Sequence, residues 1–153
     1  MSATSNFFSR GPGAATLVRT MRARGAMTLL VSGGFNAFAE PVAEMLGFDR
    51  VEANVLDAHG GLLTGTVSGR IVDSAFKAQA LIEARNSLGI AADAVMAVGD
   101  GANDGPMIEA AGLGIAYRAK PALAALADAR LDHHGLDALL WAQGIGRDEW
   151  VLG

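Results

Sequence analysis

The sequence predicts an α/β fold with a mainly parallel sheet. Three observations predict it. Apolar runs alternate with helix-like stretches along the whole chain. The runs 27–31 and 95–98 show no polar alternation, the pattern of strands covered on both faces. Short glycine-bearing joins separate most of these segments, as α/β connections require.

Taken in order, residues 13–24 read as a helix entered through Gly-Pro-Gly, with Leu17, Val18 and Met21 on one side, Arg19, Arg22 and Arg24 largely elsewhere, and Gly25 at its end. Met27 to Val31 is a strand that stops at Ser32-Gly33-Gly34. The helical stretch from Asn36 to Leu46 contains Pro41, which costs about 3 kcal/mol in a helix interior, so a late start at Pro41 or a kink is expected. Two β-like runs, Val51 to Leu56 and Leu62 to Val67, flank Asp57-Ala58-His59-Gly60-Gly61 and read as a hairpin. Lys77 to Leu88 is the next helix, Val95 to Val98 a strand, Asp104 to Ala111 a short helix and Leu113 to Tyr117 a strand. Pro121 to Asp128 reads as an Ala/Leu helix, Ala129 to Asp132 as a short strand and Gly135 to Gln143 as the last helix. One domain over 1–153 is expected, with an irregular segment at 1–12 and a polar tail at 145–153.

Composition narrows the function classes. The chain has 153 residues, 51% of them hydrophobic, enough for a sizeable core. Sixteen acidic against twelve basic residues give a net charge of −4, and no long Lys/Arg run occurs, so neither nucleic acid nor an anionic membrane is an expected partner. Without cysteine there are no disulfides and no thiolate metal sites. No apolar stretch is long enough to span a bilayer, and MSATSNFFSR lacks the pattern of a secretory signal, so a cytoplasmic location is expected.

The most informative segment is VMAVGDGANDG at 95–105, where a buried-strand pattern ends in a loop that sets Asp100 and Asp104 among Gly99, Gly101 and Gly105. Carboxylates at a strand's C-terminal end suit a hard cation. Mg²⁺ takes one or two of them and completes its shell with water and phosphate oxygens. A dinucleotide fingerprint is excluded because the third glycine falls one residue late, and a Walker A loop because Pro106 follows Gly105. The plain alternative is a turn in which Asn103 or Asp104 caps a helix with Pro106 in its first turn.

Two more positions fall at strand or helix ends on the same side of such a sheet. Ser32 offers a hydroxyl, and Gly33 and Gly34 offer N–H groups at a helix entrance, a setting that favours anions. Lys77, near a helix start, is a cation able to neutralise phosphate. Each has an ordinary structural explanation, a strand-to-helix turn and a solvated lysine, but the set suits phosphoryl chemistry.

These residues carry a resemblance. From about Gly13 to Gln143 the chain resembles the C-terminal part of a phosphoserine phosphatase of the haloacid dehalogenase superfamily. VSGGF at 31–35 resembles that family's second motif, Lys77 its third and VGDGAND at 98–104 its fourth; the hairpin around His59 and GLGIAYRAKP at 112–121 are also similar. The resemblance implies a Rossmann-like sandwich with one hairpin insert, and an activity that converts O-phosphoserine to serine and phosphate through an aspartyl-phosphate. It implies that Ser32 and Gly33 contact the phosphoryl group, that Asn103 hydrogen-bonds near it, and that Lys77 is the catalytic cation that steadies it. Asp100 would ligate Mg²⁺, and Asp104 would hold a metal-bound water or orient its neighbours.

One departure stands out. The family's nucleophile and general acid/base lie in an Asp-x-Asp-x-Thr motif on the first, central strand, and no Asp-x-Asp occurs in these 153 residues; the first aspartate is Asp49. The expectation is a sheet missing that strand and most of the cap. The strands ending at Val31 and Val98 would then pair with each other, accept a strand from another chain, or leave buried groups unpaired at about 1–3 kcal/mol each. A homodimer or a complementing N-terminal chain would fill the gap. The expected function is a truncated phosphatase, inactive alone. The alternatives are a non-catalytic Mg²⁺/phosphate-binding module and a phosphatase for another small phosphate ester. Among other candidates, His133 and His134 read as loop residues, Glu109 as solvent-facing and Trp141 as core, while Trp150 is either exposed or a partner contact.

Overall fold

The computed structural model describes residues 11–153, so residues 1–10 of the irregular segment expected at 1–12 lie outside the described residues. The described chain forms two compact units, one of residues 11–69 with His134–Gly153, the other Arg70–His133.

In the first unit, α1 (Ala14–Ala23) starts at Gly13, whose φ of +79° and closeness to Asp137 both demand glycine: a Cβ there would lie 2.5 Å from the Asp137 side chain. Leu17 and Val18 are buried, and so are Thr16 and Thr20. Their hydroxyls accept the backbone N–H groups of Gly153 and Val151 at 3.2 and 2.8 Å, so the end of the segment expected as a polar tail lies along α1. Strand β1 (Leu29–Phe35) runs into α2 (Asn36–Leu46) without a break. The late start at Pro41 is not found. Pro41 and Ala37 are both exposed, so the carbonyl deprived of its partner faces water, while Ala39, Ala43 and Leu46 bury the opposite face. Strand β2 (Arg50–His59) pairs in parallel with β1 and turns through Gly60-Gly61 into antiparallel β3 (Leu62–Ser68). Both glycines have positive φ, the requirement of a two-residue turn, so the hairpin loop is shorter than the five residues expected. Near the chain's end, α6 (Ala138–Ala142) buries Leu139 and Leu140. Trp141 is not core: one residue on, about 100° around the helix, it is 57% exposed and packs against Trp150, centroids 5.0 Å apart.

In the second unit, α3 (Ser74–Leu88) begins three residues earlier than expected because Asp73 caps it, accepting the Phe76 N–H at 2.8 Å. Strand β4 (Met96–Gly99), a 3-10 turn at Ala102–Asp104, α4 (Gly105–Ala110), β5 (Leu113–Tyr117), α5 (Pro121–Ala124) and β6 (Ala129–Leu131) follow. The sheet order is β4-β5-β6, all parallel. Leu81, Ala97 and Met107 form one part of its core, and Ile108, Ala116 and Leu123 another. The helix expected to reach Asp128 ends at Ala124. Asp128 donates its N–H to the Gly114 carbonyl at 2.8 Å and accepts the Gly114 N–H at 2.7 Å, which draws the chain onto β5 and launches β6.

Among the described residues three of the four strand pairings are parallel, the α/β architecture expected. Among the described residues β1 pairs with β2 in the first unit and β4 with β5 in the second. No described helix is long and apolar enough to cross a membrane.

Candidate functional site

In the second unit, the candidate residues converge on the loop after β4. The Asp104 side chain is fully buried between two kinds of donor. Its Oδ1 accepts the Lys77 ammonium at 2.7 Å, and its Oδ2 accepts the backbone N–H groups of Asp100 and Gly101 at 3.1 and 3.2 Å. The close fit explains Gly99: a Cβ on it would lie 2.5 Å from that of Asp104. Lys77 is also 0% exposed, held in the first turn of α3, where its N–H donates to the Asp73 carbonyl. Such a pair stands at this depth because each charge has a close, hydrogen-bonded partner.

Asp100 differs. Its Oδ1 is buried and has no hydrogen-bond partner. Burial, then repulsion from Asp104, pushes its carboxyl above the ordinary range, against the lowering effect of its own backbone N–H and of Lys77. With Lys77 and Asp104 neutralising each other, the loop retains one uncompensated carboxylate. An orphaned carboxylate oxygen at a parallel strand's C-terminal end fits a hard cation with few protein ligands. Among the described residues no three His, Cys, Asp or Glu side chains converge on a metal position, so a closed zinc-type cage is not formed here. Asn103 is exposed in the 3-10 turn, Glu109 is exposed on α4 as expected, and His133 and His134 are exposed in a bend after β6.

In the first unit, Ser32 is fully buried midway along β1 and its Oγ accepts the Gly34 N–H at 3.1 Å. The register with β2 slips between Ser32 and Phe35, which face adjacent residues Ala53 and Asn54, so Gly33 and Gly34 bow out of the ladder just before α2. Asn54 fixes that bow by donating its Nδ2 to the Gly33 carbonyl at 2.9 Å. Sequence reasoning missed Asn54, and a buried amide in an otherwise apolar stretch of β2 was the available signal. It also missed Asp73, legible as an N-cap. A cleft of about 650 Å³ lies at the opposite, N-terminal end of β1, lined by Arg22, Met27, Asp49 and Arg50, and contains none of the candidate residues.

Comparison with known proteins gives the family. The family profile described as haloacid dehalogenase-like hydrolase matches residues 3–109. The chain is 49% identical over 138 residues to phosphoserine phosphatase SerB2 of Mycobacterium tuberculosis, covering 90% of this chain and 34% of that protein. It is 47% identical over 129 residues to the phosphoserine phosphatase of Idiomarina loihiensis, covering 84% of this chain and 59% of the relative. Among solved structures, one described as a phospho-aspartyl intermediate analogue of phosphoserine phosphatase superposes with a TM-score of 0.78 at 33% identity, covering 95% of this chain and 72% of the other. A probable phosphoserine phosphatase from Vibrio cholerae gives 0.81 at 34% identity, covering 94% and 49%. The chain thus spans about a third to three-fifths of the length of these two curated relatives.

Proposed function

Because the chain belongs to the haloacid dehalogenase-like hydrolases, among their phosphoserine phosphatases, we propose that it carries the cation- and phosphoryl-binding part of an O-phosphoserine phosphatase. The observation that carries this reading is the Asp100 loop: an orphaned, buried carboxylate oxygen beside a neutralised Lys77–Asp104 pair. Asp100 would hold Mg²⁺, whose bound charge shields a phosphate dianion from a carboxylate nucleophile. Asp104 acts as a positioning residue rather than a direct ligand, because both of its oxygens already accept N–H donors. Lys77 neutralises that carboxylate and so removes a negative charge that would repel the phosphoryl group. Ser32, Gly33 and Asn103 are its hydrogen-bonding partners, with Asn54 holding the Gly33 peptide in place.

No residue of the chain is assigned the nucleophile, since Asp-x-Asp is absent from it. Turnover, on this proposal, requires a segment bearing Asp-x-Asp-x-Thr, supplied by another chain or region and completing the sheet. The setting is cytoplasmic and the partner a small phosphorylated metabolite. The absent motif also favours a second reading, a Mg²⁺/phosphate-binding module without turnover.

The test is Mg²⁺-dependent phosphate release from O-phosphoserine by the 153-residue chain, with and without a peptide containing Asp-x-Asp-x-Thr, with Asp100→Asn and EDTA as controls. Expected are no release alone, release with the peptide, and its loss in Asp100→Asn. Release by the chain alone that Asp100→Asn abolishes would mean that another group serves as nucleophile. Phosphate binding without release in either arm would favour the non-catalytic reading.

A further inference from the structure

Arg118 is the only described residue other than glycine with a positive φ, +45°. A left-handed backbone carries a steric cost for any residue with a Cβ, and such outliers persist where surrounding contacts enforce them. Here those contacts are visible. The Arg118 N–H donates to the Leu131 carbonyl of β6 at 2.9 Å, and its guanidinium lies 5.0 Å from the ring centroid of buried Tyr117. The position is equally telling. Arg118 comes two residues after Ala116, the β5 partner of Gly99, and Asp100 one residue after Gly99. With neighbouring strands about 4.8 Å apart, the Cα atoms of Asp100 and Arg118 fall within roughly 10 Å of each other. Arg118 and Lys120 are exposed, and neither forms an ion pair among the described residues.

We propose that Arg118, with Lys120 beside it, captures the phosphate dianion of the ligand at the edge of the Asp100 loop. The inference rests on the phosphate-site reading above and adds a residue to it. Before a cation binds, the Asp100 carboxylate repels an approaching dianion; a fixed cation on the adjacent strand end offsets that repulsion and, once the cation is held, adds to its attraction. The stacking on Tyr117 holds the guanidinium in one place, which lowers the ordering needed on capture.

The experiment is calorimetric titration of the whole chain with inorganic phosphate in Mg²⁺ at low and high ionic strength, comparing wild type with Arg118→Gln, Arg118→Gly and Arg118→Lys. Arg118→Gln and Arg118→Gly should weaken binding about tenfold at low salt and flatten its salt dependence, while Arg118→Lys keeps most of both. Arg118→Gly should also raise the melting temperature, because glycine accepts the backbone conformation freely. Weaker binding in a more stable protein separates the charge from any role in folding. Wild-type binding that Arg118→Gln leaves unchanged at both salts overturns the role of Arg118 alone, whereas a wild type that binds no phosphate overturns the site reading with it.

Discussion

At the residue scale, the Lys77–Asp104 pair has the largest consequence. Both side chains are essentially inaccessible and 2.7 Å apart, so removing one partner strands a charge in the interior. Lys77→Met or Asp104→Leu should each cost about 3–5 kcal/mol in urea unfolding, whereas the double variant should lose clearly less than the sum, since neither charge is then orphaned. Additive losses would show that the two side chains do not act as a pair. The aspartate loop itself was legible in the sequence, because Asp100 and Asp104 stand four residues apart among glycines just after an apolar run. The difference in surroundings between the two aspartates was not. It depends on Lys77, 27 residues away, reaching one oxygen of Asp104, and on the loop's own N–H groups taking the other. Trp141 was misread because hydrophobicity alone does not say which side of a one-and-a-half-turn helix faces inward.

At the element scale, strand and helix types were readable nearly throughout, and the errors lie where a specific contact overrides the pattern. Asp73 extends α3 backwards, the reciprocal Asp128–Gly114 pair cuts α5 short, and Gly60-Gly61 tightens the hairpin. In α2 the contest went the other way: buried Ala39, Ala43 and Leu46 carry the helix through Pro41. That helix therefore tolerates a proline its tertiary contacts outweigh. Pro41→Ala should restore the bond to the Ala37 carbonyl and raise stability by about 1–3 kcal/mol, with no change in phosphate or Mg²⁺ binding. The matching loss is at α3, where Asp73→Ala should cost about 1 kcal/mol through the lost cap. Both are measurable by denaturant unfolding, and a Pro41→Ala variant less stable than wild type would mean that the ring itself packs usefully.

At the scale of the whole molecule, the described residues form two compact units with a three-stranded sheet in each. Local pattern identifies strands but not which of them share a sheet, since pairing between distant strands leaves no periodic trace. The two units also hold carboxylates of opposite character, which makes acid stability informative. In the first, burial of Asp49 works to raise its pKa but is outweighed by hydrogen bonds from the Thr28 N–H and hydroxyl and by Arg22 at 2.8 Å, so the carboxyl is held below the ordinary 3.8. A lowered folded pKa means stability that is complete above 3.8 and lost as pH falls through the folded value. In the second unit, Asp100 is raised by burial and by Asp104, so its contribution has the reverse sign: present below 3.8 and lost as pH rises through its folded value. Without metal, acidification from neutrality should therefore relieve strain at Asp100 first and break the Asp49 network only below 3.8. Melting temperature against pH should show this directly: Asp100→Asn flattens the limb above 3.8, and Asp49→Asn flattens the limb below it. A wild-type profile whose upper limb is unchanged by Asp100→Asn would remove the argument that this carboxylate is held at a cost in the absence of a cation.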